Sequence, residues 1–129
     1  MPTQDNEVGE KLISHKDVDK VVLTGAHETA VKFKSWKPDL NLVAETSGKN
    51  SIIVTNSADI DLAVHDIVQS AFGHAGQKCS AGSVAIIEKE IYDNPLFFKQ
   101  LIDATKSLTV GNPADLGNSV GPLISSPDK

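Results

Sequence analysis

Residues 57–72 have the sequence SADIDLAVHDIVQSAF, in which apolar side chains return at spacings of three and four. This period is that of one face of an α-helix, so the segment is predicted to be a helix with a continuous apolar stripe. Ser57 is expected to cap its start, and Asp59 and Asp61 lie in the first turn, where the helix dipole favours negative charge. Burial of the stripe, at about 25 cal/mol per Å² of apolar area, makes this helix a main contributor to the core. The stripe consists of Ile60, Ala63, Val64, Ile67, Val68, Ala71 and Phe72.

A polar segment with several glycines follows that helix and holds the only cysteine of the chain. Residues 72–81 have the sequence FGHAGQKCSA, and Gly82 comes directly after them. A lone cysteine is more often an inert, buried small hydrophobe than a nucleophile. Inert cysteines usually lie in apolar periodic segments, whereas Cys79 lies between Lys78 and Ser80 in a predicted loop. The thiol is therefore expected to be reachable from solvent, and both roles stay open at this point.

Predicted strands and helices alternate along the chain. Short apolar or β-branched runs predict strands, and periods of three and four predict helices. Such alternation is typical of an α/β fold with a largely parallel sheet and flanking helices. The last helix is expected to begin with Asn94 as its cap and to turn Phe98, Leu101, Ile102 and Thr105 inward. The predicted strands are 18–23, 40–44, 51–55 and 84–87, and the other predicted helices are 7–15 and 27–36.

The turn after the first predicted strand has a form that can bind an anion. Thr24, Gly25 and Ala26 connect a strand to a helix, which points backbone N–H groups and the positive end of a helix dipole at a ligand. The turn lacks the G-x-G-x-x-G pattern of many dinucleotide sites and the lysine of a P-loop. An ordinary strand–helix turn therefore stays open as the alternative.

A second polar segment, residues 45–50, separates two predicted strands and begins with Glu45. A glutamate at this place has two explanations. It is a solvated turn residue, which is the default for this side chain. Alternatively, it lies at the end of a strand and points into the crevice where α/β proteins bind their ligands.

Composition and charge exclude several classes of partner. The chain has 129 residues and a formal net charge of −5, with a pI near 5.2. This acidic balance gives no electrostatic reason to expect nucleic acid or an anionic membrane, and no apolar run approaches the about 20 residues that span a bilayer. A single cysteine cannot form an intrachain disulfide, so a reducing compartment, the cytoplasm, is expected. The four histidines have no cysteine or histidine partner at metal-ligand spacing, and no metal is predicted.

Four parts of the chain, in the family's order, resemble the aldehyde dehydrogenase superfamily. They are residues 23–30 (LTGAHETA), 45–49 (ETSGK), 72–81, and 110–113 (VGNP) with 121–124 (GPLI). Glu45 and Cys79 are 79 − 45 = 34 positions apart, as are the general base and the nucleophile of that family. Within the superfamily, residues 44–50 and 70–81 are most similar to 1-pyrroline-5-carboxylate (glutamate-semialdehyde) dehydrogenases, especially the dehydrogenase half of bifunctional bacterial proline-utilisation enzymes.

The resemblance implies a reaction, a cofactor and a set of site residues. Cys79 would be the nucleophile that attacks an aldehyde, and Glu45 would be the general base for hydrolysis of the resulting thioester. The implied substrate is glutamate 5-semialdehyde, oxidised to glutamate with NAD and without a metal. Family members commonly have serine at the position of Ala26 and glycine at that of Ser47, so the chain departs from the pattern twice. The implied cofactor contacts are Thr24, Gly25, Ala26 and Thr46.

The resemblance also implies how the chain is divided. Residues 1–44 would be the end of an NAD-binding domain and residues 45–129 the start of a catalytic domain, within a partial aldehyde dehydrogenase fold. The chain is then expected to be a fragment whose partners are a small aldehyde and the remaining domains of the parent protein. Alone, it is expected to be inactive and to self-associate through strand edges and apolar faces. The alternative is a truncated, non-catalytic α/β module that binds a partner.

Overall fold

The structure, a computed structural model, describes residues 6–125 of the chain. Helices and strands alternate as predicted, and the chain divides into two compact units, Met1–Gly48 and Lys49–Lys129. The first unit contains α1 (Asn6–Ile13), β1 (Val21–Thr24), α2 (His27–Trp36) and β2 (Leu42–Glu45). The second contains β3 (Ser51–Val54), α3 (Ile60–Phe72), a 3₁₀ turn (Gly73–Gly76), β4 (Val84–Ile87), α4 (Lys89–Tyr92) and α5 (Pro95–Lys106).

The first unit is built on a parallel pair of strands with a helix between them in sequence. β1 and β2 pair through four residues each, so the two strands end side by side. The aromatic side chains Phe33 and Trp36 of α2 stack with ring centroids 5.6 Å apart. The ammonium group of Lys34 donates a hydrogen bond at 2.9 Å to the carbonyl oxygen of Leu40, whose own side chain is buried. The Lys34 hydrogen bond connects the end of α2 to the segment that leads into β2.

The second unit has its own parallel pair of strands, β3 and β4. Ile53 lies opposite Ile86, and both side chains are exposed, whereas Val54 is buried in the core. This alternation follows from the period of two in a strand, which turns neighbouring side chains to opposite faces. The predicted parallel pairing is therefore confirmed, as one two-stranded sheet in each unit.

Helix α3 begins at Ile60 and is capped by Asp59, so the expectation of a Ser57 cap is wrong. Oδ1 of Asp59 accepts a hydrogen bond from the backbone N–H of Leu62 at 3.0 Å. The hydroxyl of Ser57 instead pairs with that of Thr55 at 3.1 Å. Asp59 takes the role because it directly precedes the first helical residue, from which a side-chain oxygen reaches the N–H three positions on. The apolar stripe is confirmed, with Val64, Ile67 and Val68 buried.

The core of the second unit closes around Phe97, which is fully buried. Asn94 caps α5 as predicted, since its Oδ1 accepts from the N–H of Leu96 at 3.0 Å. Of the predicted inward face of α5, Phe98 and Leu101 pack against the core as expected. Ile102 is 49% exposed, however, and the most deeply buried residue of the helix is Phe97, which the prediction did not include. The core cluster comprises Val54, Val64, Ile67, Ile91 and Phe97, and Ile91 comes from α4, a helix that the sequence pattern does not predict.

Replacement of Phe97 tests this description of the core. Phe97→Ala is expected to lower the free energy of unfolding by about 3–5 kcal/mol, because it leaves a cavity among apolar side chains. The matched control is Leu116→Ala, since Leu116 is 98% exposed and such changes usually stay within about 0.5 kcal/mol. Urea unfolding followed by circular dichroism measures both, and equal effects of the two variants would contradict a core centred on Phe97.

Candidate active site

Cys79 lies in the loop between the 3₁₀ turn at the end of α3 and the start of β4. Its thiol is free and exposed, which agrees with the expectation from the polar composition of the loop. The loop starts from a fixed point, because the apolar stripe of α3 is buried in the core of the same unit. The position of the thiol is therefore set by the helix and by the contacts of the loop.

The turn after α3 holds three consecutive residues in the left-handed region of backbone conformation. His74 and Ala75 have φ of 53° and 57°, and Gly76 has φ of 70°. This conformation costs a non-glycine residue about 1–2 kcal/mol, so other contacts must offset the strain at His74 and Ala75. Gly76 is also required by space, because a Cβ there would lie 2.9 Å from the carbonyl oxygen of Ala71. Backbone strain of this kind is concentrated at functional sites.

The side chain of Asn50 connects the start of β3 to the cysteine loop. Its Nδ2 group donates hydrogen bonds to the carbonyl oxygen of Cys79 at 2.6 Å and to that of Ala81 at 3.1 Å. Its backbone carbonyl oxygen accepts from the N–H groups of Ser83 at 2.9 Å and Val84 at 3.2 Å. Asn50 is not among the predicted site residues, although it lies beside a predicted strand and within residues 44–50, which carry part of the resemblance described above.

Further hydrogen bonds fix the two ends of the loop. The N–H of Gly82 donates to the backbone oxygen and to the hydroxyl of Ser70 on α3, each at 3.1 Å. The N–H of Ile124 donates to Oε1 of Gln77 at 2.9 Å. The exposed thiol is thus carried by a backbone that is bonded to α3, to the start of β3 and to the segment after α5.

The other predicted site residues lie in the first unit, where β1 and β2 end. Thr24 is paired with Glu45 across the two strands, and the N–H of Gly25 donates to the carbonyl oxygen of Glu45 at 3.1 Å. Glu45 is exposed and is the last residue of β2, and Thr46 after it is half-buried. The structure thus places this carboxylate at the carboxyl end of a parallel strand, which is where α/β folds bind ligands.

Ala26 is the residue directly before α2, and its side chain cannot cap the helix. Its backbone is extended, with φ −71° and ψ 148°, and no side-chain hydrogen bond caps the helix. The carbonyl oxygen of Ala26 accepts from the N–H of Thr29 at 3.1 Å. A helix start that no side chain covers is suited to bind an anion. The structure therefore brings together Thr24, Gly25, Ala26, Glu45 and Thr46 at one end of the first unit, whereas Cys79 belongs to the second.

Residues 6–125 contain no candidate for a metal centre or a membrane span. In that part of the chain, no group of three or more His, Cys, Asp or Glu side chains could hold a metal ion. The helices of the same part are too short or too polar to cross a bilayer.

Comparison with known proteins identifies relatives over the whole chain. The profile of the "Aldehyde dehydrogenase family" matches residues 1–129. The 1-pyrroline-5-carboxylate dehydrogenase of Bacillus cytotoxicus is 37% identical over 131 residues, which cover 95% of this chain and 25% of the relative. That of Bacillus cereus strain B4264 is 38% identical with the same coverage. The chain therefore spans about a quarter of the length of the curated relatives it matches.

Solved structures give the same picture of the fold. Proline Utilization A (PutA) from Corynebacterium freiburgense is 54% identical with a TM-score of 0.91, and the match covers all of this chain and 13% of that one. Betaine aldehyde dehydrogenase from Staphylococcus aureus, solved in complex with NAD+, is 37% identical with a TM-score of 0.86. That match covers 92% of this chain and 24% of the other. The helices and parallel strands described above are therefore those of a section of these larger folds.

The left-handed turn can be tested with a pair of glycine variants. Gly76→Ala is expected to lower the free energy of unfolding by about 1–3 kcal/mol, because it adds a strained φ and a contact with the Ala71 carbonyl. Gly121→Ala is the control, since a Cβ at Gly121 meets no atom within 4 Å. Chemical denaturation compares them, and a Gly76→Ala variant as stable as the control would contradict the turn conformation.

Proposed function

This chain belongs to the aldehyde dehydrogenase family, and we propose that it carries the nucleophile and the general base of an NAD-dependent aldehyde oxidation. The proposed substrate is glutamate 5-semialdehyde (1-pyrroline-5-carboxylate), and the product is glutamate. The relatives named 1-pyrroline-5-carboxylate dehydrogenase and PutA support this choice of substrate. The observation in the chain itself that carries the proposal is the exposed thiol of Cys79 on a hydrogen-bonded loop.

Cys79 begins the proposed reaction as the nucleophile. Its thiolate forms a bond to the aldehyde carbon, and the carbonyl oxygen becomes the oxyanion of a thiohemiacetal. The backbone N–H of Cys79 is one donor to that oxyanion, a type of contact worth roughly 3 kcal/mol when it is preorganised. The carbon then loses a hydride and becomes the carbon of a thioester on Cys79; acceptance of that hydride is the chemistry that NAD supplies when bound.

Glu45 completes the proposed reaction as the general base. Its carboxylate accepts a proton from water, and the hydroxide so formed adds to the thioester carbon. The carbon–sulfur bond breaks, the thiolate of Cys79 is regenerated and the carboxylic acid product leaves. A carboxylate at an exposed strand end is suited to this role, because water reaches it directly.

The end of the first unit is the proposed place for the diphosphate of NAD. Thr24 and Gly25 bring the backbone to the start of α2, and the N–H groups of its first turn are not covered by a capping side chain. Ala26 lacks the hydroxyl that serine would offer, so binding through backbone N–H groups is expected to dominate. Thr46, next to Glu45, is proposed as a further contact. The NAD+ complex of the Staphylococcus aureus relative supports this choice of cofactor.

Turnover is proposed to require more of the fold than this chain holds. The chain corresponds to a quarter of the length of its curated relatives, so we expect the isolated 129 residues to form no NADH from glutamate 5-semialdehyde. The remaining domains of a larger protein would then be its partners. A single unpaired thiol fits a reducing compartment, and we propose the cytoplasm as the place of the reaction.

A chimera tests the proposed chemistry. The chain replaces the homologous segment of Corynebacterium freiburgense PutA, to which it is 54% identical over its whole length. The chimera is expected to form NADH from 1-pyrroline-5-carboxylate, and Cys79→Ser is expected to abolish this activity because the nucleophile is lost. Glu45→Gln should lower kcat by about 10²–10⁴-fold, the usual contribution of a general base.

His65→Gln is the matched control for the chimera, because His65 lies on the exposed face of α3. Its NADH formation should equal that of the unsubstituted chimera. Full activity of the Cys79→Ser chimera would rule out the proposed nucleophile. A folded chimera without activity would instead favour the alternative of a non-catalytic α/β module.

Self-association of the isolated chain is also proposed. Each sheet has a pair of neighbouring apolar residues, one on each strand, whose side chains are both exposed. These pairs are Val22 with Val43 and Ile53 with Ile86. Such apolar faces beside open strand edges favour association of copies. The mass from light scattering is expected to rise with protein concentration, and Ile53→Thr with Ile86→Thr should weaken that rise. Leu116→Ser, which removes an isolated exposed side chain, should leave it unchanged, and a strictly monomeric chain would contradict the proposal.

A further inference from the structure

The geometry points to Asn50 as a positioning residue for the nucleophile, an inference that rests on the proposed function. The side-chain amide of Asn50 holds the carbonyl groups of Cys79 and Ala81. It thereby fixes the direction in which Cys79 presents its thiol and its backbone N–H to an aldehyde.

The two hydrogen bonds use the full donor capacity of one side chain. A primary amide has two N–H donors, and Asn50 directs them at carbonyl oxygens two residues apart, at 2.6 and 3.1 Å. Between these two points the chain curls, and the N–H of Ala81 donates to the carbonyl oxygen of Lys78 at 2.9 Å. Residues 78–81 therefore form a tight turn, and the carbonyl oxygens of Cys79 and Ala81 in this turn both accept from the amide of Asn50.

Asn50 can act as an anchor because its own backbone is held. Its carbonyl oxygen accepts from the N–H groups of Ser83 and Val84 at the start of β4, and β3 begins at the next residue, Ser51. The side chain needs only two torsion angles to reach the loop, so little freedom remains between the sheet and the bound carbonyl groups. A displacement of the loop relative to β3 must break these bonds.

The strained turn explains why such an anchor matters. His74 and Ala75 hold left-handed conformations, which are unfavourable for non-glycine residues and persist only where the surrounding contacts hold them. The two hydrogen bonds from Asn50 are among the contacts that hold the loop in this form. A misplacement of about 1 Å at a reacting group can cost about 10²-fold in rate.

The chemistry of the contact selects asparagine over its near-isostere. An aspartate at position 50 would have the same shape but, when ionised, only acceptor oxygens. Two attractive contacts with carbonyl oxygens would then become two repulsive ones. Asn50→Asp is thus the most informative variant, and Asn50→Ala removes the donors without adding charge.

Hydrogen exchange in the 129-residue chain tests the anchor without reference to activity. NMR is expected to show amide exchange at Ala81 and Gly82 about 10-fold faster in Asn50→Ala, which corresponds to the loss of about one net hydrogen bond, and faster again in Asn50→Asp. The control is Asn118→Asp, which removes an amide donor to the carbonyl oxygen of Asn112 in another loop. Unchanged exchange in both Asn50 variants would overturn the inference.

Kinetics of the PutA chimera connect the anchor to catalysis. Asn50→Asp should lower kcat by about 10²-fold and leave KM for the aldehyde within about twofold, whereas Asn118→Asp should change neither. An active chimera whose kcat is unaffected by both Asn50 variants would overturn the positioning role alone. An inactive, folded chimera with Asn50 intact would overturn the proposed function, and the positioning role with it.

Discussion

The hydrogen bonds from Asn50 to the carbonyl oxygens of Cys79 and Ala81 are the constraint on which the placement of the Cys79 loop depends. They join a loop with an exposed thiol to the parallel strands of the second unit. The turn before that loop includes His74 and Ala75 in left-handed conformations, which persist only where the surroundings hold them. The thiol of Cys79 is therefore exposed, while hydrogen bonds within the second unit hold the backbone that carries it.

Packing in the core of the second unit also restricts the position of the Cys79 loop. Buried Val64, Ile67 and Val68 fix α3 in the second unit, and fully buried Phe97 packs in the same core as Val64 and Ile67. These core contacts position the end of α3, and therefore the start of the turn, in addition to the contacts of the loop itself. The helix with the buried apolar face directly precedes the polar segment that carries the thiol. Packing of the helix in the core therefore positions the start of the loop that holds Cys79.

Local patterns predicted much of the fold but little of what holds the site. The bounds of α2 and β4 follow from short periods in the sequence, and Asn94 caps α5 as its position next to proline suggests. The spacing of apolar residues does not indicate which of the neighbours Phe97 and Phe98 is fully buried, because burial here depends on how α5 packs against α3. The role of Asn50 is not local either, since its acceptors lie 29 and 31 positions later. Cys79 and Glu45 were identified through the resemblance of their segments to the aldehyde dehydrogenase superfamily, and their assigned roles remain predictions.

Acid-quench mass spectrometry of the PutA chimera carrying Glu45→Gln can establish whether the acyl group passes through Cys79 and leaves with the help of Glu45. With water activation impaired, a rapid burst of about one NADH per site should be followed by slow release. The peptide that contains Cys79 should then carry a glutamyl thioester, which hydroxylamine removes. NADH formation with no acyl group on that peptide, or with undiminished steady-state release, would contradict the acyl-enzyme chemistry assigned to these two residues.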